Sequence, residues 1–299
     1  MLDAVGWFFV NLWAGFSGIF KAIFNPSAWL NWGEDKTSLM QFIFYGASFE
    51  LFFAFFSVGM ILLAVGLFHR PFLWGVVRGI EFGQNWLGRF FAWAGLILVL
   101  QQVMIIFLQR IFRESAISFG IGDVGFTKDV SWWSEELKLY NAMIVALCVG
   151  YTFVQGGHVR VDLFYASAKF RTKKIIDMVG SVLFLMPLTI IIWLFAWYFM
   201  WRNMINPPVA VTDTLERLET KARAVRWSIE TIGFSPNGFN AYILFKVLIL
   251  AFAGTMFIMA WGHLYRSLLE FIEGPESENK YLDKDRLGDE FAEAAAEIH

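Results

Sequence analysis

Charge is what this chain has least of. Only 17% of its 299 residues are Asp, Glu, Lys or Arg, against about a quarter in an ordinary soluble domain, which excludes a water-facing globular surface. Cysteine is nearly absent as well. The single Cys148 lies inside an apolar run, so a disulfide framework or Cys-rich metal site is excluded and the residue reads as a small buried apolar one. Four histidines occur, His69, His158, His263 and His299, none at the centre of an apolar run, whereas a bis-histidine haem needs two facing each other at depth. No HExxH, Walker or dinucleotide pattern falls where a loop could use it. Internal repeats of the kind that build a complete carrier are not evident, and the N-terminus lacks the basic region and cleavage site of a removable signal peptide. No catalytic residue, metal or cofactor is expected.

Apolar length is what the chain has in abundance: 58% of residues are hydrophobic, with 34 Phe and 14 Trp. Several runs reach about 20 residues, roughly what a helix needs to cross a 30 Å hydrocarbon core. They do not alternate as barrel strands would. The expected fold is an all-α integral membrane protein, a helical bundle with four core spans and one or two additional N-terminal hydrophobic helices. Residues 1–36 hold an apolar helix (Val5–Phe24) with a stripe of Asn11, Ala14, Gly15, Gly18, Lys21 and Asn25. It is either an interfacial helix or a span packed through small residues. Residues 37–85 hold a span, Gln41–Phe68, and a surface helix. Residues 86–269 hold the spans Phe90–Phe112, Leu139–Val154, Ile175–Trp201 (kinked at Pro187) and Asn240–Trp261, and 270–299 form an acidic tail.

Few polar groups are expected at depth. Glu50 lies about ten residues into its run, where an unpaired carboxylate costs about 2.5–3.5 kcal/mol. It reads either as an interhelical or intersubunit contact or as a protonated or snorkelling group. Gln101 and Gln102 are expected to hydrogen-bond across helices. A further helix is expected in the connection Arg202–Gly238, capped by Thr212 or Asp213.

The most structured stretch runs from Ser131 to Phe164. Ser131 reads as a helix cap, with Glu135 and Glu136 in the first turns, where acids favour the positive end of the helix dipole. Trp132 and Trp133 read as interface anchors, or alternatively as a receptor for a soluble partner. Gly156 and Gly157 close the span as a C-cap, since glycine takes a left-handed conformation without a Cβ clash. Between Gly157 and Lys174 there are five Lys/Arg and one acid, Asp162, an excess that places this loop in the cytoplasm. Asp162 can cap the following helix and Arg160 can pair with an acid or a lipid phosphate. The tail from Glu270 to His299, ten acids against three bases, reads as a solvated cytoplasmic tail or a binding segment.

Trp133-Ser134-Glu135-Glu136-Leu137, one apolar span, then Gly156-Gly157-His158-Val159-Arg160-Val161-Asp162-Leu163 resembles the small permease subunit (the DctQ family) of TRAP transporters. Ser235-Pro236-Asn237-Gly238 is similar to larger members of that family. The likeness covers roughly Trp86 to Leu269. It implies a multi-pass subunit of the bacterial inner membrane with a cytoplasmic C-terminus. It also implies a scaffold for a large multi-span permease subunit, which takes up an organic acid from a periplasmic substrate-binding protein on a sodium gradient. His158 and Arg160 then serve either the fold or contact with the large subunit, and membrane lipids are the other expected neighbours. The readings from other classes are a membrane anchor of a redox complex and a stand-alone carrier.

Overall fold

The computed structural model describes residues 2–32, 36–121, 124–156, 165, 168–222, 224–226, 238–239 and 242–285. The chain is an all-α membrane helical bundle. Among the described residues six helical stretches are long and apolar enough to cross a membrane, and β-structure is limited to two small antiparallel pairs.

Helix α1 (Leu2–Phe24) packs along α4 (Phe49–Phe68). The contact is close: a Cβ on Gly15 would sit 2.5 Å from the Phe53 backbone. Ser57 Oγ donates to Leu12 O at 2.8 Å, and Trp7 and Phe8 meet the Phe53 ring edge-on at 5.6 and 5.7 Å. Between them lie α2 (Ser27–Leu30) and α3 (Lys36–Gly46).

The run expected as one span, Gln41–Phe68, is divided here. Ser48 Oγ donates to Tyr45 O and accepts from Leu51 N, so the same hydroxyl closes α3 and caps α4. The opposite holds for the next segment. The surface helix and the span Phe90–Phe112 form a single rod, α5 (Arg70–Phe107), extended by a π turn over Leu108–Phe112. At 1.5 Å per residue it is about 64 Å long, twice the hydrocarbon thickness. No proline follows Pro71 to interrupt it.

After the rod comes a β-hairpin, β1 (Ala116–Ile121) and β2 (Val124–Asp129), with Ala116 opposite Asp129. Its closure sets the start of α6 (Val130–Leu147). Val130 N donates to Ser115 O at 2.9 Å, so Asp129 holds the N-cap position and Ser131 lies within the helix. A bend at Cys148 leads into α7 (Val149–Val154), and the buried thiol donates to Gly88 O.

The third core span starts earlier than Ile175, as α8 (Phe170–Gly180). A π turn at Ser181–Leu185 then leads into α9 (Met186–Arg202). That wider turn accommodates Pro187, which has no N–H to donate and would crowd the carbonyl four residues back. In the next connection Thr214, rather than Thr212 or Asp213, caps α10 (Leu215–Lys221) by accepting from Arg217 N. The last span, α11 (Tyr242–Glu273), runs twelve residues past Trp261.

The core is organised around α11. Leu250 joins Leu39, Met40 and Ile43 of α3 and Trp197 and Trp201 of α9. Ala260, Trp261, Tyr265 and Leu269 pack on Leu73, Trp74 and Val77 of α5. Gly59 of α4 permits the tightest approach to it. A Cβ there would meet Trp261 Cζ2 at 2.5 Å, and Tyr265 donates to Gly59 O at 2.7 Å.

Candidate functional site

The buried polar centre of the bundle lies where α5 meets the far end of α11. Leu73, Trp74, Val77, Glu81, Gln84, Asn85 and Gly88 are buried. Their spacing places them on one helical face, and that face carries a carboxylate. Glu81 is 3% exposed and its partner Arg266 8%. The guanidinium grips the carboxylate with both arms, Nε to Oε1 at 2.5 Å and Nη2 to Oε2 at 2.7 Å. Its third nitrogen, Nη1, reaches Glu270 Oε1 and Lys280 O, each at 3.2 Å. Lys174 of α8 completes the set, 2.6 Å from Glu270 Oε2. Two cations and two acids thus balance, the condition under which charges persist in a low-dielectric interior. Trp74 roofs the cluster, its ring 5.4 Å from the Arg266 guanidinium and its Nε1 donating to Glu273 Oε1.

Residues 274–285 close over this lock instead of standing off in solvent. Gly274, at φ 92°, turns the chain out of α11, a backbone state open to glycine. Asn279 N then donates to Glu270 Oε1. Tyr281 stands edge-on to Trp74 at 5.7 Å. Asp283 and Asp285 pair with Arg89 at 3.0 and 2.7 Å. Asn85 and Gln155 both donate to Asp283 O, at 2.9 and 3.0 Å, and Asp285 N donates back to Gln155 Oε1 at 3.0 Å. Tyr151 donates to the Asp285 carboxylate. The tail is therefore a strap joining α5, α7 and α11. The hydrogen bond from Arg89 holds Asp283 below the usual carboxylate range. Asp285 is lowered by the Tyr151 hydroxyl and then by Arg89. The remaining tail, residues 286–299, lies outside the described residues.

At the other end of the bundle the acids of the Trp-Ser-Glu-Glu run tie helices together. Gln101 Nε2 donates to Glu136 Oε2 at 3.1 Å and to Trp133 O at 3.3 Å. Tyr140 donates to Glu136 Oε1, and Glu135 Oε2 accepts from Phe239 N at 2.8 Å. Trp132 is wedged edge-on between Phe126 of the hairpin and Phe239. Gln102 instead points outward, exposed. Glu50 is exposed in the first turn of α4, where the Ser48 cap places it, and not ten residues deep. Gly156 takes the left-handed conformation expected of a C-cap, at φ 75°. Gly157, His158, Arg160 and Asp162 lie outside the described residues, as do Ser235-Pro236-Asn237.

Sequence reasoning missed the charged lock entirely. Glu81 falls in the segment expected as a surface helix, Lys174 reads as a loop cation, and Arg266 and Glu270 fall beyond the span expected to end at Trp261. The available signals were Glu81's place on the Leu73–Gly88 face and the i,i+4 spacing of Arg266 and Glu270. Lys246, 2% exposed, was missed too; it donates to Phe199 O at 2.8 Å and lies 4.1 Å from that ring's centroid. No group of three or more His, Cys, Asp or Glu that could hold a metal occurs among the described residues.

A polytopic helical membrane protein with its charges spent on holding helices to one another is what this geometry defines. Residues 103–212 match the family model described as "Tripartite ATP-independent periplasmic transporters, DctQ component", which supports a TRAP transporter small permease subunit. The matched segment takes in the last turn of α5, the hairpin and α6 to α9, and leaves α1 to α4, most of α5, α10 and α11 outside it. No curated protein and no solved structure matches the chain.

Proposed function

We propose that this chain is the small membrane subunit of a TRAP transporter. In this role it scaffolds the large permease subunit for sodium-gradient-driven uptake of an organic acid delivered by a periplasmic binding protein. The family match over residues 103–212 carries the reading. The strapped bundle supports it. Its buried charges are paired across α5, α8 and α11, a design that resists relative motion, as expected of a static partner for a moving subunit. Broad exposed apolar faces, such as Trp93, Ile97 and Leu100 on α5 or Leu183 and Phe195 beyond α8, offer surface for lipid and for that partner. The basic run into α8 supports an orientation with the strap end cytoplasmic in a bacterial inner membrane and the Trp132/Phe239 end toward the periplasm. Glu50, Gln102 and the Gly157–Asp162 loop are candidate contacts with the large subunit. Domain-wise, 86–269 is the family core, to which α1 to α4 and the first turns of α5 add a flank. Co-expression with the large permease subunit tests the reading. A stable stoichiometric complex is expected, and a chain that purifies alone from those cells contradicts it.

A further inference from the structure

The first five turns of α5 have three faces. One is buried on α11. A second, at Trp74, Arg78, Asn85 and Arg89, carries the strap. The third exposes Phe82 (65%) and Trp86 (60%) to the surroundings. Arg78 stands at the border of the last two, one turn before Phe82. Its guanidinium lies 5.1 Å from the Tyr281 ring centroid, and Lys280 Nζ lies 5.3 Å from the same centroid, so the two cations flank one ring.

The acids nearby are engaged elsewhere. Glu81 and Glu270 hold Arg266 and Lys174, Asp283 and Asp285 hold Arg89, and Glu273 accepts from Trp74 and pairs with Lys280 at 3.6 Å. Among the described residues Arg78 has no acidic partner within ion-pair distance. It is thus an exposed cation, oriented by a ring, at the head of an aromatic strip on an amphipathic helix. That is the arrangement an anionic lipid satisfies: phosphate at the cation, acyl chain along the aromatics.

We propose that Arg78, with Lys280 of the strap, binds the headgroup phosphate of an anionic phospholipid whose chain lies against Phe82 and Trp86. The site does not depend on the transporter reading. It couples lipid composition to the strap, because Lys280 and Tyr281 belong to both.

The test uses the full chain in detergent, with retained lipid counted by native mass spectrometry. Phosphatidylglycerol, phosphatidylcholine and inorganic phosphate are added in separate arms. Phosphatidylglycerol is expected to be retained over phosphatidylcholine, with Arg78→Gln lowering its affinity about fivefold, the value of one interfacial cation. Arg78→Lys keeps most of the affinity, and Arg110→Gln, at the far end of the same helix, leaves it unchanged. Equal retention of the two lipids overturns the proposal, as does equal loss in Arg110→Gln or full occupancy by inorganic phosphate alone. If Arg78→Gln does not fold, Lys280→Gln replaces it, and unchanged phosphatidylglycerol affinity in that variant counts against the site.

Discussion

Removing Glu81 is the sharpest perturbation of the charged lock. Glu81→Gln keeps the side chain's shape but deletes the charge that receives both arms of Arg266. Two cations, Arg266 and Lys174, are then left to share the one buried carboxylate of Glu270, with only the exposed Glu278, 3.7 Å from Lys174, beside it. Breaking one partner out of a buried ion pair costs about 3–5 kcal/mol, because the other charge stays buried and uncompensated. The local imbalance here is only partly relieved by Lys280 O, so the expected loss lies in that range. Arg266→Met should cost a similar amount, for it leaves two acids against Lys174. The double variant Glu81→Gln/Arg266→Met removes both charges together and restores the balance of Lys174 with Glu270. It should therefore lose less than the sum of the singles by at least about 1.5 kcal/mol, in line with couplings between contacting groups. Equilibrium unfolding of the detergent-solubilised chain, titrated with a denaturing detergent, reads all three. Additive losses, or a Glu81→Gln loss below about 1 kcal/mol, would refute the lock.

Other outcomes follow from the same geometry. Gly59→Val places a Cβ against the Trp261 ring and should destabilise by about 1–3 kcal/mol, seen as a lower thermal midpoint; an unchanged midpoint would mean that α4 does not seat there. The strap should be sensitive to acid in one direction only. Because Asp283 and Asp285 are lowered in the folded chain, their contribution is fully present above the ordinary carboxylate value of about 3.9 and fades as pH falls through the lowered folded values. Hydrogen exchange of the amides of residues 279–285, corrected for intrinsic rates, should thus be flat from neutral pH to about 5 and faster below 3.9. Arg89→Gln should raise it from neutral pH to about 5 and approach the parent as the carboxylates protonate, and a strap that loosens between pH 7 and 5 would contradict the pairing. Asp213→Asn removes the charge that holds Lys221 at 3.0 Å and Arg217 at 3.3 Å. Burial alone would raise this carboxyl, and the Ala210 amide and Lys221 overcome that to lower it. Proteolysis within residues 203–222 should quicken in the variant.

Much of the bundle was legible because a membrane span announces itself locally. Run length and polarity located all six long helical stretches among the described residues and left open only whether the first crosses; the left-handed Gly156 followed from its place after an apolar run, and Gln101 reached across helices as an amide at that depth should. What was hidden is non-local. Whether Glu81 faces water or Arg266 depends on a residue 185 positions away in sequence. Whether the tail floats or docks depends on Arg89, Asn85 and Gln155 arriving beside it. Breaks in helices were misplaced for a related reason. Ser48, an ordinary polar residue in an apolar run, ends one helix and caps the next, while the segment Glu81–Arg89 continues a helix with Glu81 paired to Arg266 of α11 and Arg89 to the strap.

The proposed role as a static partner subunit meets its most direct test in proteoliposomes. Uptake of an organic acid is measured with the large permease subunit, the binding protein and an inward sodium gradient, with and without this chain. Flux is expected only when all components and the gradient are present, and none from this chain alone. Flux through this chain by itself, or full flux in its absence, would contradict it.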